Sequence, residues 1–415
     1  MATTRFAKRS KRLPSSLAAP VLGIIPENAE ALVQRFETSP LLRAARSEAL
    51  AAYFALASGR APAGRYWKVD LDALDLSRVE VRAETTPPRI AATLSRGAIA
   101  CDLATARRVH PQLLERALGT AVDARTRKFA SLANAFGNTG AFVYVPAGVS
   151  VDNPIEIAYA AGEIALFPHT IVLAEAGARC TVICTLEGGA EGSFVCGIDE
   201  IVTGERASVS FASVQTLALG ARSLFTRAAR PGKDAHLAWA IAELGADLCA
   251  STVEIEIEQT GVDAQIAAVF CPSGDQHVDL VSSVDHRVGQ ARSETIVRSA
   301  ATGSGQARYL GNINIAAHAQ GSNASLRDDA LLLSKKAHVD SVPALEIAAN
   351  DVKAYHGATV GALDEEQIFY MTSRGIERDE AERMIVLGFF EPVIDRFPTR
   401  ELRERIRAAL QAKVG

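Results

Sequence analysis

Several features that would assign a function at once are missing from this sequence. No apolar run approaches the roughly 18 residues that a membrane-spanning helix needs. The chain has no excess of positive charge either, since its formal net charge is −4 and its pI is about 6.1. A broad basic face for nucleic acid is therefore not expected. We expect a soluble chain that binds neither a membrane nor nucleic acid.

The short motifs of common catalytic and nucleotide-binding sites are also absent. The sequence has no Walker A phosphate loop, no G-x-S-x-G, no H-E-x-x-H and no paired C-x-x-C. We therefore expect no catalytic residues, no nucleotide site and no tightly bound cofactor in the isolated chain. Any step driven by ATP would need an ATPase supplied by a partner.

The cysteines are few and scattered, without the regular spacing of a disulfide framework. Six occur, at Cys101, Cys180, Cys184, Cys196, Cys249 and Cys271. This pattern indicates free thiols in a reducing cytosol, so a cytoplasmic protein is expected. Cys180 and Cys184 would lie about 13 Å apart along one predicted strand, too far to share a metal ion. Burial as small apolar side chains is the expected state of all six.

Residues 1–140 are predicted to form a mixed, mainly helical domain with a basic tail. The tail carries Arg5, Lys8, Arg9, Lys11 and Arg12. The weak apolar run that follows is broken by Pro20 and Gly23, which argues against a signal peptide. A strong helix is expected to begin at Pro40 and to stop at Gly59.

Residues 141–360 read as a repeated β structure. Short β-branched runs alternate with Gly or Asp, and the clearest is VEIEIE, which puts Val253, Ile255 and Ile257 on one face and three glutamates on the other. Glycines in turns recur at intervals of about 28 residues, at Gly177, Gly204, Gly232, Gly261 and Gly289. The period favours a β-solenoid. A β-sandwich with chance glycine spacing is the alternative.

Residues 361–415 are predicted to be helical. Asp364 is a suitable N-cap for a first helix, which Gly375 would end. A second helix is expected from about 377 to 389, closed by Pro392. The last segment, 399–413, reads as an amphipathic helix capped by Thr399, which either docks on the protein or enters a partner's groove.

The sequence of the C-terminal part resembles that of a known family. HGATVGALDEEQIFYMTSRGI (356–376) followed by EAERMIVLGFFEP (380–392) is similar to the C-terminal signature of the SufB/SufD proteins of iron–sulfur cluster assembly. The stretches at 128–157, 167–183 and 314–345 are similar to the same family. Gly357 directly after His356 is more typical of SufD than of SufB. The likeness covers roughly residues 125–391.

The resemblance implies a fold, partners and sites. The fold would be a right-handed parallel β-helix flanked by N-terminal and C-terminal α-helical domains. The chain would pair with the paralogue SufB and dock the ABC-type ATPase SufC. His356 would be a ligand for iron or a nascent cluster at the SufB–SufD interface, where any cluster would be transient. Candidate ATPase contacts are Phe369, Tyr370, Arg374, Met384 and Phe389.

Three other readings remain open at this stage. A SufB-type scaffold is one, although Ala354 excludes the cysteine that often precedes the histidine by two positions. A β-helix enzyme acting on polysaccharide is another, with Glu254, Glu256 and Glu258 as its carboxylates, although a solvated strand face is the ordinary explanation of these three glutamates. The isolated chain could also pair with itself as a homodimer through an open solenoid edge.

Overall fold

The fold is seen in a computed structural model that describes residues 21–36, 40–57, 60–61, 65–66, 71, 74–83 and 85–414. The basic run of residues 5–12 and the expected helix stop at Gly59 lie outside the described residues. The strands and helices of the described residues have the following bounds. The strands are β1 Val21–Leu22, β2 Arg60–Ala61, β3 Arg65–Tyr66, β4 Glu80–Val81, β5 Arg89–Ala91, β6 Ile99–Asp102, β7 Thr139–Val145, β8 Ile155–Ala161, β9 Pro168–Ala174, β10 Arg179–Gly188, β11 Phe194–Thr203, β12 Ser208–Leu217, β13 Arg222–Arg230, β14 His236–Glu243, β15 Leu248–Ile257, β16 Asp263–Phe270, β17 His277–His286, β18 Arg292–Ala301, β19 Gln306–Ile315, β20 Asn323–Leu332, β21 His338–Ile347 and β22 Lys353–Ala362. The helices are α1 Pro26–Phe36, α2 Pro40–Ala55, α3 Leu103–Val109, α4 Pro111–Glu115, α5 Lys128–Phe136, α6 Glu365–Ser373, α7 Arg378–Ile394 and α8 Arg400–Val414.

A parallel β-solenoid forms the centre of the molecule, so the predicted fold class is confirmed. Each strand from β7 to β22 pairs in parallel with the strand two places along the chain. Ser208, for example, lies beside both Arg179 and His236. The result is two nine-stranded sheets, an even sheet from β8 to β22 with β5 at its end and an odd sheet from β7 to β21 with β6 at its end. The sandwich alternative is wrong, because a sandwich pairs neighbouring strands antiparallel.

The turns explain the glycine period. Gly232 lies directly above Gly204 of the previous coil, and a Cβ on Gly232 would lie 2.5 Å from the carbonyl carbon of Gly204. No side chain fits that gap, so stacked coils need glycine at this turn. The repeat seen in the sequence is therefore the spacing at which successive coils touch.

Side chains alternate between the interior and the two outer faces of the solenoid. Val253, Ile255 and Ile257 all lie in the interior core, as predicted. The expectation that the glutamates between them form a solvated face is wrong at Glu254. That residue is buried and pairs with Arg127, next to the start of α5, because the N-terminal helices cover this part of the odd sheet.

The N-terminal helices pack on the outer face of the odd sheet. Phe136 of α5 contacts Phe167, which in turn contacts Phe194 of β11. Beside them, the buried carboxylate of Glu200 accepts hydrogen bonds from the backbone N–H groups of Gly119, Ala121 and Val122 and contacts His169 Nε2 at 2.8 Å. These bonds fix the loop before α5 to the sheet.

The C-terminal helices cover the outer face of the even sheet. Residues of α7 and α8 that are fully buried against the sheet include Val386, Phe390, Ile406 and Leu410. Helix α8 is capped by Thr399, whose Oγ1 accepts from Leu402 N at 3.2 Å. The predicted amphipathic helix is therefore docked on its own solenoid. No helix in the described part of the chain is both long and apolar enough to cross a membrane.

The prediction that Pro392 closes the second C-terminal helix is wrong. Helix α7 continues through Pro392 to Ile394. Proline removes only one helical hydrogen bond, the one that would end on Gly388, and Gly388 is exposed to water. Val393 and Ile394 are fully buried beyond it, so packing outweighs the lost bond.

A buried histidine in the interior gives the stability a predictable pH dependence. His286 is 1% exposed, its Nε2 lies 2.8 Å from Ser293 Oγ, and burial lowers its pKa to about 4. Between pH 6.5 and 4 the unfolded chain binds a proton here that the folded chain does not, so stability falls as the pH falls. In His286→Gln, urea unfolding should lose about 2 kcal/mol less stability between pH 7 and pH 5 than in the unmodified chain. Equal losses in the two proteins would contradict a neutral buried imidazole.

Candidate functional site

The two ends of the solenoid differ. At the N-terminal end, the short antiparallel strands β5 and β6 pair with β8 and β7. At the other end, β21 and β22 are ten residues long and each is the last strand of its sheet. Four large apolar side chains are exposed on these two strands, Val342, Ile347, Tyr355 and Val360. Long open edges with exposed apolar groups are the kind that pair with another chain.

His356 lies on β22 at this open end. It pairs with Leu326 of β20, whose side chain belongs to the interior core, so His356 stands on the strand face that continues the interior. It is exposed, and no hydrogen bond or ion pair of its side chain is found among the described residues. The imidazole is therefore free to bind a ligand. Beside it, a Cβ on Gly357 would lie 2.5 Å from Tyr355 Oη, so the tyrosine ring uses the space that glycine leaves.

A buried carboxyl group lies close to His356. Asp328 of β20 is 1% exposed and faces the interior, because its pairing partner Val297 lies in the core. Its Oδ2 accepts a hydrogen bond from Ser341 of β21, whereas its Oδ1 has no partner in the described part of the chain. Burial raises the pKa of Asp328 to about 7.

The sequence did not single out Asp328 as a site residue. Strand alternation offers the missing signal. In the run RDDALL, one of two successive aspartates must face the interior of a solenoid strand. Asp329 faces outward and pairs with Arg298 at 2.9 Å, so the inward carboxylate is the one left without a cation.

The second candidate surface is formed by α6 and α7. Phe369, Tyr370 and Met384 are 73%, 59% and 48% exposed, respectively. Arg374 lies over the Tyr370 ring at 5.2 Å and donates from Nη2 to Tyr370 Oη at 3.2 Å. Of the five candidate contact residues, Phe369, Tyr370 and Arg374 are therefore exposed on α6 or at its end, and Met384 is exposed on α7.

Phe389 differs from the other four. It is half-buried, and its ring packs against the guanidinium of Arg298, 4.7 Å from ring centroid to Cζ. It also lines a groove of about 460 Å³ between α6, α7 and the end of the even sheet, with Leu331, Leu363 and Met384 among the other lining residues. Phe389 thus packs α7 against the even sheet and also lines the groove.

The cysteines are separate from both candidate surfaces. Cys180 and Cys184 face the solenoid interior, and burial raises the pKa of Cys180 to about 12 and that of Cys184 further. The expectation that all six are buried is wrong for Cys101, which is half-buried on the terminal strand β6. In the described part of the chain, no three His, Cys, Asp or Glu side chains come together as a metal site.

Comparison with known proteins gives consistent results over most of the chain. A family model described as "SUF system FeS cluster assembly, SufBD core domain" matches residues 157–389, and one described as "SufBD protein N-terminal region" matches residues 65–157. The iron–sulfur cluster assembly protein SufD of Bacillus subtilis is 29% identical over 347 residues, which cover 80% of this chain and 78% of the relative. An iron–sulfur cluster assembly SufBD family protein of Staphylococcus epidermidis is 26% identical over 327 residues, 77% of this chain and 70% of the relative.

The exposure of His356 predicts that it is dispensable for folding. His356→Ala should change the free energy of unfolding by less than about 0.5 kcal/mol, because an exposed side chain without contacts contributes little. The matched control is His286→Ala, which removes a buried ring from the interior and should cost about 2 kcal/mol or more. Urea unfolding of both variants checks this. A large loss of stability in His356→Ala would mean that the histidine is a packing residue.

Proposed function

Because the chain belongs to the SufBD family of iron–sulfur cluster assembly proteins, we propose that it acts as the SufD-type subunit of a SUF complex. In this role it pairs with a SufB paralogue, carries one copy of a SufC-type ATPase and performs no catalysis of its own. The family and the likeness to SufD rest on the comparisons, and the geometry of the open end and of α6 and α7 supports the partners and sites.

The open end of the solenoid is the observation that supports the pairing. Backbone N–H and C=O groups along β21 and β22 need partners on their free edges, and a second solenoid with a similar open end supplies them. The exposed apolar residues Val342 and Val360 would be buried by the same contact. A second copy of this chain offers the same edges, so a homodimer of the isolated chain is the competing assembly.

The exposed aromatic surface of α6 and α7 supports ATPase docking. Aromatic side chains surrounded by charged ones are typical of binding hot spots. Around Phe369 and Tyr370 stand Glu365 and Arg378, which form an ion pair at 2.7 Å that joins α6 to α7. Helix α6 begins close behind the end of β22, so movement of a docked ATPase would pull directly on the strand that carries His356. ATP-driven opening of the paired interface would follow.

The role of His356 in this proposal is to hold iron or a nascent cluster as it passes through the interface. An imidazole nitrogen is a suitable ligand for iron. Ala354, two residues earlier, packs against the interior core and provides no sulfur. Sulfur ligands would therefore come from the partner chain, which makes a self-sufficient SufB-type scaffold the weaker reading.

The proposal divides the chain into an N-terminal domain of residues 1–140, a solenoid of residues 141–360 and a C-terminal helical domain of residues 361–415. A cytoplasmic location is part of the same proposal. A polysaccharide-acting enzyme has little support, because the three glutamates suggested for it are engaged in ion pairs. Glu256 pairs with Arg230 and Arg287, and Glu258 pairs with Arg287.

Pairing through the open end can be tested by placing charge on the edge. Val342→Asp and Val360→Asp should each weaken binding to a SufB homologue by about tenfold or more, because an unpaired carboxylate would be buried in the contact. Light scattering after size exclusion gives the mass of the mixture. Leu219→Asp is the control, since Leu219 is equally apolar and more exposed but lies in a turn between β12 and β13. A mass of two copies of this chain, unaffected by SufB, would favour the homodimer, and loss of pairing only in the Leu219 variant would contradict the edge.

ATPase docking can be tested with point substitutions on α6. Truncation before α6 is unsuitable, because it would expose the apolar outer face of the even sheet. Phe369→Ser and Tyr370→Ser remove exposed groups and should leave the fold intact. In a mixture with SufB and SufC homologues, the expected mass is one copy of each paralogue with two ATPases, and each variant should lose one ATPase. An unchanged mass with both variants would contradict this docking surface.

A further inference from the structure

Among the described residues, Asp328 is the one buried Asp or Glu for which no ion pair with a basic side chain is found. Glu200 accepts from three backbone N–H groups and contacts His169. Asp328 has one hydroxyl donor, Ser341, and its second oxygen is buried without a partner among the described residues. A buried polar atom left unpaired costs about 1–3 kcal/mol. Such an atom in a folded protein calls for an explanation, and an unfilled ligand position is one.

The neighbouring charges do not satisfy Asp328. Asp329 and Arg298 point to the outer face of the even sheet, where they pair with each other at 2.9 Å and where Phe389 covers the guanidinium. The carboxyl group of Asp328 therefore faces the interior without a cation beside it.

The last coil brings His356 close to this carboxyl group. Asp328 pairs with Ala358 of β22, and His356 stands two residues earlier on the same strand face. Neighbouring strands are about 4.8 Å apart and two residues span about 6.6 Å, so the two Cα atoms are about 8 Å apart. Side chains of this length can meet at one point between them. Ala358, the neighbour of Asp328 in the last coil, is exposed and has only a methyl group, so it adds little bulk between the buried carboxyl group and the open end.

We infer that Asp328 is a second ligand, beside His356, for a divalent transition-metal ion that enters the open end of the solenoid. The inference rests on the proposed role of His356 as an iron ligand. A carboxylate oxygen and an imidazole nitrogen together suit Fe²⁺. The metal ion would bind the unpartnered oxygen Oδ1, while Oδ2 keeps the hydrogen bond from Ser341. Two ligands from this chain leave the remaining positions for water and for groups of the partner, so the site is half of a shared one.

The test uses the full chain and Co²⁺ as a spectroscopic substitute for Fe²⁺. Affinity is measured by competition with a chelator, and the visible absorption of bound Co²⁺ reports its ligands. Asp328→Asn keeps the shape of the side chain and should weaken binding about tenfold or more, with a changed spectrum. The matched control is Asp340→Asn, because Asp340 lies on β21 at the same end, 3.1 Å from His338 on the outer face. This control should bind Co²⁺ within about twofold of the unmodified chain.

A second variant avoids the risk that Asp328→Asn disturbs the fold. Ala358→Leu touches no ligand, and Ala358 is exposed, so folding should not be affected. The longer side chain adds bulk between Asp328 and the open end and should also reduce Co²⁺ binding. Agreement between the two variants would support the site.

The outcomes separate this inference from the proposed function. Loss of Co²⁺ binding in His356→Gln but not in Asp328→Asn or Ala358→Leu would overturn the inference and leave the role of His356 standing. Unchanged binding in all three would overturn both. Loss of Co²⁺ binding only in Asp340→Asn would show that the metal binds on the outer face, which would also overturn the inference. Assembly with the partners is read independently from the mass measurements.

Discussion

The hydrogen-bonded stacking of one coil on the next is the constraint on which the rest of this structure depends. In a parallel solenoid the backbone groups of each strand are satisfied only by the coils before and after it, so no coil is stable alone. The ends therefore matter as much as the middle. The N-terminal end is covered by two short antiparallel strands, and the C-terminal end is left open over two ten-residue strands. The same bonding that builds the core thus leaves an open strand edge at this end.

Stacking also decides which polar groups the interior can hold. Asp199 and Arg227 occupy paired positions on β11 and β13, both facing inward, and Arg227 donates from Nη2 to Glu243 of β14, 2.9 Å away. Burial raises the pKa of Asp199, and the guanidinium of Arg227 opposes that rise. A buried charge is tolerated here because the neighbouring coil supplies its partner. Asp328 on β20 also has a neighbouring coil, but its neighbour there is Ala358, which supplies no cation.

Much of this arrangement was predictable from the sequence, because the periods that define it are local. The turn glycines and the alternation in VEIEIE follow from contacts between one coil and the next, which repeat along the chain. The caps at Asp364 and Thr399 depend on groups within three residues. Predictions failed where distant segments meet. Glu254 is buried because of Arg127, and Pro392 stays in a helix because Val393 and Ile394 pack on the even sheet.

The candidate site residues also differ in whether the sequence or only the structure reveals them. The sequence motif around His356 identified the residue, and the structure adds that its side chain is exposed at the open end and makes no hydrogen bond or ion pair within the described part of the chain. Phe369 and Tyr370 stand on the exposed side of α6, whereas Phe389 is held by Arg298, a residue far away in the sequence. Strand alternation indicates that one of Asp328 and Asp329 faces inward, but the structure is needed to show that it is Asp328 and that Arg298 pairs with Asp329 instead.

The unequal ends of the solenoid limit how large an assembly can become. A β-solenoid with two open ends could add chains without limit and grow into a filament. In the described part of this chain, one end of the solenoid is open. The opposite end is covered by strands of three and four residues, which pair antiparallel and therefore cannot continue the parallel ladder. Under the proposed pairing, two solenoids that meet through their open ends would leave no further open end, so this contact would limit the assembly to two solenoids.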